Sequence, residues 1–239
     1  MQRRGKLSMG RLRLAAWGAN GISGNVLWLR SDLGITLNGS DVSAWADQSG
    51  LARNVSQGTP SKQPAYMTGG QSGKPFLRFT TADSTFLRGT WTQARPVTVF
   101  LAAVFDRTQA GGQDFTPIDG ATGNSRRFYN QNATPTLVGQ FATGAPAPND
   151  VTVNPSLFHL FEGGFSGADS YFRCIDTAEE DGAQAMGAVD PDGMCIGVFG
   201  DQSSAPADCD VYEVIEYNRL LTANEQAQVR NYLESRYAV

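Results

Sequence analysis

At 239 residues, with 41% hydrophobic and 18% charged side chains, the chain can fill one sizeable core, and this composition excludes a disordered protein. No apolar run approaches the roughly 18–20 residues of a membrane span, so the sequence reads as soluble and without a membrane partner. The formal charge of −4 is uneven: Arg3, Arg4, Lys6, Arg11 and Arg13 stand in the first thirteen residues with no acid, against 14 basic and 23 acidic residues elsewhere, so a nucleic-acid partner is not expected.

Residues 1–25 form a basic N-terminal extension. Its apolar stretch, Leu14 to Trp17, stops at Gly18 and is shorter than the roughly 7–15 residues of a secretion signal. An ordered arm that neutralises an acidic neighbour is expected instead. Strand patterns then recur between turn-forming clusters: residues 26–30 (VLWLR), followed by a turn at 31–34, then 42–47, 74–79 and 85–88. Residues 97–105 (VTVFLAAVF) are apolar throughout and predict a strand buried on both faces. Further strands are predicted at 127–130, 136–141, 157–161, 170–175, 194–199 and 211–217, with Gly- and Pro-rich loops at 108–125 and 142–156.

One helix ends the chain. Thr222-x-x-Glu225 is a capping box, and Val229, Tyr232, Leu233 and Tyr237 then recur at helical spacing, which predicts a helix over 222–236 laid on a sheet edge or closing the core. Cys174, Cys195 and Cys209 lie in or beside apolar segments without C-x-x-C spacing, as expected of small buried hydrophobes rather than of zinc ligands or a disulfide framework.

Several of these segments, in this order, resemble the concanavalin A-like lectin/glucanase (laminin G-like) superfamily as found in bacterial and bacteriophage proteins. They are Leu27-Trp28-Leu29-Arg30-Ser31-Asp32-Leu33-Gly34, the run from Val42 to Gly50 (VSAWADQSG), Gly73 to Phe79 (GKPFLRF), and Tyr212 to Thr222 (YEVIEYNRLLT) with Tyr232-Leu233-x-x-x-Tyr237. The resemblance spans residues 26–239. It implies an all-β fold, a two-sheet antiparallel jelly-roll-like sandwich with a C-terminal helix. Leu51 to Asn54 departs from the Asn-Gly-Asn-rich turn frequent in the family, which weakens an inference of calcium. Glu213 stands where the family commonly has Glu, and implies a hydrogen bond or ion pair at the last strand. Glu216 stands where it usually has an apolar residue, and implies a solvent-facing or interface position.

The sequence assembles no convincing catalytic set. Asp208-x-Asp210-x-x-Glu213 resembles the carboxylate spacing of glycosidases on related sandwiches, but without a β-bulge Glu213 points away from the two aspartates. His159, the only histidine, alternates with Leu157 and Phe161 as a half-buried strand residue, and the sequence locates no partner that would make it a general base. No cofactor is implied. Calcium is the ion that Asp32, Asp47, Asp83 and Asp201, beside strands, could take.

Trp28 and Trp45 are expected in the core. Trp91 and Tyr129, the latter beside Asn130, are the better candidates for stacking on a sugar. The leading expectation is a non-catalytic virion component of a phage (capsid decoration, tail or fibre), a homo-oligomer whose basic arm docks on other subunits. The alternatives are a carbohydrate-binding or adhesion module for surface glycans, extracellular or on a cell surface, and a polysaccharide-cleaving enzyme.

Overall fold

In a computed structural model, residues 19–107, 115–123, 127–130, 137–141, 149–186 and 189–239 are described. In chain order the strands are β1 (Asn25–Arg30), β2 (Ile35–Asn38), β3 (Asp41–Trp45), β4 (Val55–Ser56), β5 (Ala65–Met67), β6 (Phe76–Arg78), β7 (Leu87–Thr90), β8 (Val97–Val104) and β9 (Phe115–Asp119). They continue with β10 (Arg127–Asn130), β11 (Leu137–Phe141), β12 (Asn149–Thr152), β13 (Phe158–Phe165), β14 (Gly167–Cys174), β15 (Glu179–Met186), β16 (Gly193–Ile196) and β17 (Asp210–Tyr217). Helix α1 (Ala223–Tyr237) follows.

Every pairing is antiparallel. One layer runs β15–β14–β13–β8–β17, with β1 and β6 sharing the far side of β17. The other runs β2–β3–β4–β7–β16–β9–β10–β11–β12. Strand β5 pairs with both β6 and β3, so the layers are stitched together along one margin. This is the antiparallel sandwich expected from the period-two patterning.

Two apolar clusters form among the described residues, and strand β8 serves both. Val97, Val99, Leu101 and Ala103 point between the layers, where Trp45, Phe128 and Phe161 also lie. Phe100 and Ala102 point to the opposite face, into a cluster with Trp28, Val229, Leu233 and Tyr237. An apolar run without alternation is what a strand covered on both faces requires.

Helix α1 therefore covers a sheet face, not an edge. Thr222 accepts a hydrogen bond from the backbone of Glu225, and Glu225 accepts one from the backbone of Thr222. Val229, Leu233 and Tyr237 are buried and Tyr232 is partly so. Trp28 is likewise buried against the helix.

The described part of the extension joins this face: Ala19 and Ile22 are buried in the helix-side cluster, and Tyr217 donates a hydrogen bond to the Ala19 carbonyl at 3.0 Å. Arg3, Arg4, Lys6, Arg11 and Arg13 lie outside the described residues.

Three expectations are corrected. Residues 108–125 and 142–156 are not loops throughout, because β9 and β12 lie within them. Glu216 is fully buried rather than solvent-facing, since β17 is covered on both faces. Strand β17 does carry a register shift, between Val211 and Glu213, so Tyr212 and Glu213 both turn toward the helix.

The helix is also tied down by charge. Arg236 contacts Asp32 at 2.8 Å, and Arg30 pairs with the same carboxylate at 2.9 Å. Burial opposes ionisation of Asp32, but hydrogen bonds from Arg30 and Arg236 outweigh it and hold the carboxyl at about 2. A depressed carboxylate contributes stability above its unfolded value near 4, and that stability is lost as pH falls toward 2. The unfolding midpoint of the wild type should therefore drop across that window. Asp32→Asn should be less stable at neutral pH and show a shallower acid decline, which urea titrations at stepped pH will read.

Candidate functional site

The site begins with two glycines in β13. Gly163 and Gly164 pair across the strand boundary with Phe172 and Tyr171 of β14. A Cβ at Gly163 would lie 2.7 Å from the Phe128 ring, and one at Gly164 would lie 2.3 Å from the Tyr171 ring. Side-chain atoms do not approach that closely, so each face of the strand is bare where an aromatic ring lies on it.

Tyr171 is then fixed by the helix face. Its hydroxyl donates to Glu162 at 2.6 Å and accepts from Gln226 at 2.8 Å. Arg230 donates from Nε to the other Glu162 oxygen at 2.6 Å and from a terminal nitrogen to Gln226 Oε1 at 3.2 Å. Glu162 is fully buried, so its two acceptors are satisfied by a phenol and a guanidinium. Burial, and then the adjacent Glu162, push the Tyr171 hydroxyl well above the usual phenol range. Tyr171 is therefore a neutral donor and not a nucleophile in waiting.

Beside this network lies a recess of about 350 Å³, at the small end of the roughly 300–1,000 Å³ range of ligand sites. Asp169, Ser170, Tyr171, Arg173, Gln226 and Arg230 line it, bringing strand β14 and helix α1 to one opening. Arg173 pairs with Glu180 across the β14–β15 ladder, while its Nε is buried without a hydrogen-bond acceptor. Burial, followed by the neighbouring Arg230 charge, lowers the Arg173 pKa. The recess thus combines an aromatic edge, two guanidinium groups and a carboxylate, whereas the buried Ser170 hydroxyl donates to the Gly167 carbonyl and the Gln226 amide is engaged by Tyr171, Leu221 and Arg230.

The sequence-derived aromatics are placed elsewhere and apart. Trp91 follows β7 and Tyr129 lies on β10, three strand steps away, or about 14 Å at the usual spacing. Trp91 packs on the inter-layer core, with the Arg53 guanidinium 5.6 Å from its ring centroid. Tyr129 is only 5% exposed; Arg127 sits 5.0 Å from its ring centroid and its hydroxyl donates to Asp150 at 3.1 Å. Asn130 is in the same strand. Tyr129 is thus enclosed, whereas Trp91 is partly buried with one arginine beside it.

The three carboxylates of the glycosidase-like spacing do not form a reactive pair. Asp208 accepts from the backbone and hydroxyl of Thr81, and Asp210 receives two nitrogens of Arg78 at 2.8 Å with Arg107 at 3.2 Å. Glu213 is sealed under the helix. The calcium candidates are likewise engaged by protein donors: Asp47 accepts from Trp28, Ser49 and Arg53 amides, and Asp201 from Ser203 and Ser204.

His159 is buried in β13 with an acceptor at each ring nitrogen, Asp176 Oδ2 at 2.7 Å from Nδ1 and the Asn154 carbonyl at 3.0 Å from Nε2. Asp176 also accepts from the Leu160 amide at 2.8 Å and from the Cys174 thiol at 3.4 Å. Burial works against the Asp176 carboxylate, but these donors, His159 foremost, bring its pKa below the ordinary value. Cys174, Cys195 and Cys209 are all free and buried, and burial pushes the Cys174 thiol up to about 12.

No family model and no curated protein matches the chain. Solved structures do resemble it. The binding domain of botulinum neurotoxin DC in complex with SialylT superposes with a TM-score of 0.58 at 8% identity, over 90% of this chain and 52% of that one. A structure described under the heading that cell entry of botulinum neurotoxin type C depends upon interaction with two ganglioside molecules gives 0.59 at 8% identity, over 90% and 52%. Trypanosoma rangeli sialidase in complex with the inhibitor DANA gives 0.53 at 13% identity, over 87% of this chain and 33% of that one. The shared feature is the β-sandwich fold, and the chain spans between a third and about half of these proteins.

Proposed function

We propose that this domain binds carbohydrate without cleaving it, through the recess beside Tyr171, and that the preferred sugar carries a carboxylate. The observation that carries the reading is the pairing of Arg173 and Arg230 at one opening with Tyr171, Gln226 and Ser170. Each guanidinium has five N–H donors, more than its one carboxylate partner accepts, so donors remain for a ligand oxygen. An anion entering the recess would also relieve the repulsion between the two arginines. The tyrosine edge supplies apolar contact, while Ser170 and Gln226 shape the recess with their own hydrogen bonds already made within the protein.

The fold's neighbours agree with a glycan-binding role in kind, since their own ligands include SialylT and gangliosides. Fold likeness by itself assigns no function. The virion role expected from the sequence draws no support from these neighbours.

The test is a glycan array carrying sialylated, uronic-acid and neutral glycans. Saturable binding to acidic glycans is expected, weakened at least about tenfold in Arg173→Gln and in Gln226→Ala, the loss of one charge-assisted or shared hydrogen bond being worth about 1.5–3 kcal/mol. Unchanged circular dichroism will show that both variants fold. A flat array, or equal binding of neutral glycans by the variants, would overturn the reading.

A further inference from the structure

At the opposite end of the β13–β14 hairpin from the recess, His159, Cys174 and Asp176 offer an imidazole nitrogen, a thiol sulfur and a carboxylate oxygen that all lie within 4.8 Å of one another. The strand register explains the meeting. Phe161 faces Cys174 across the ladder, so His159, two residues back on the same face, reaches the turn that holds Asp176. We propose that these three side chains are a zinc-type metal site, with Nδ1 of His159, Sγ of Cys174 and one oxygen of Asp176 as ligands and the fourth position open to water.

The donor set fits a borderline-soft divalent ion. Thiolate, imidazole and carboxylate are the ligands zinc takes, and three protein ligands with an open fourth position is a recurrent arrangement for it. At zinc distances, ligand atoms in a tetrahedron stand about 3.3–3.7 Å apart. Cys174 Sγ is already 3.4 Å from Asp176 Oδ1, while His159 Nδ1 lies 2.7 Å from the other oxygen, Oδ2, so the carboxylate has to turn for one oxygen to serve both neighbours. Small side-chain rotations achieve this, because Asp176 sits in the turn after β14 and is the most exposed of the three.

The surroundings of the ligands are an independent indication. Metal-bound histidine almost always donates its other ring N–H to a carbonyl or carboxylate. Nε2 of His159 already faces the Asn154 carbonyl at 3.0 Å, which leaves Nδ1 as the ligating atom. The Leu160 amide donates to Asp176 Oδ1 at 2.8 Å and anchors the carboxylate beside Cys174.

The experiment uses the full chain, stripped with chelator and titrated with Co²⁺ as a spectroscopic stand-in for Zn²⁺. One equivalent per chain with thiolate-to-cobalt charge-transfer absorption is expected. The band should vanish in Cys174→Ser and persist in Cys195→Ala, and Asp176→Asn should weaken binding at least about tenfold. Zn²⁺ should raise the unfolding midpoint of the wild type and leave that of Cys174→Ser unmoved. A folded wild type with no saturable band overturns the site, as does a band that survives in Cys174→Ser. The wild-type titration decides even if a variant fails to fold.

Discussion

Glu213→Ala should lower the free energy of unfolding by about 3–5 kcal/mol, the cost of removing one partner from a buried ion pair. Glu213 is completely buried, and burial pushes its pKa up while Arg236 draws it back. Four donors converge on it: Trp28 Nε1 at 2.7 Å, the Tyr232 hydroxyl at 2.8 Å, and the Tyr237 hydroxyl and Arg236 Nε at 2.9 Å. One side chain therefore joins the first strand, the last strand and both ends of the second half of the helix. Its removal strands an indole N–H and deprives Arg236 Nε of its carboxylate, leaving that guanidinium only Asp32, while the two phenols must find water. Glu213→Gln keeps the volume but presents an amide N–H₂ to groups that are already donors, so it should fall between wild type and Ala. Urea unfolding followed by tryptophan fluorescence measures both. A loss below about 1 kcal/mol for Ala would show that the helix is held by its apolar stripe alone.

Phe161→Ala should cost a similar amount, about 3–5 kcal/mol, by a different route. Phe161 is fully buried between the layers. Its ring lies 4.4 Å from Phe105, stacks on Phe172 at 5.8 Å with planes 9° apart, and meets the His159 ring at 5.8 Å. Phe172 and His159 belong to paired strands and Phe105 directly follows one, so they cannot close over the vacancy and the lost transfer energy is joined by a cavity term. Calorimetry will read the fall in unfolding temperature. Since Phe161 also supports His159 and faces Cys174 across the ladder, the same variant should bind Co²⁺ more weakly if the proposed metal site exists.

Much of the fold was legible because its signals are local. The apolar run of β8, the Thr222–Glu225 box and the Val229–Leu233–Tyr237 stripe each follow from adjacent residues. Strands β9, β12 and β15 were missed for identifiable reasons. β9 (FTPID) carries Pro117 mid-strand, β12 (NDVT) opens on turn-forming residues, and β15 (EEDGAQAM) is charged at an edge and has no apolar alternation. They are strands because neighbours offer them a ladder, which propensity does not record.

The site was less readable still. Tyr171 and Arg230 are 59 positions apart and meet through Glu162 and Gln226, a pairing that depends on the helix folding back over β13. Trp91 and Tyr129 rested on a different signal, aromatic residues beside polar ones, and an arginine lies near each of those rings. The turn in β17 that swings Glu213 toward the helix was likewise invisible, because a bulge leaves no mark in an alternating pattern.

The paired glycines of β13 impose a last condition. With rings seated directly on both sides of its peptide planes, this stretch is a partition only one backbone thick between the aromatic interior and the arginine-lined opening. Saturation mutagenesis at positions 163 and 164 should accordingly return glycine alone among functional clones, although neither residue has a side chain with which to touch anything.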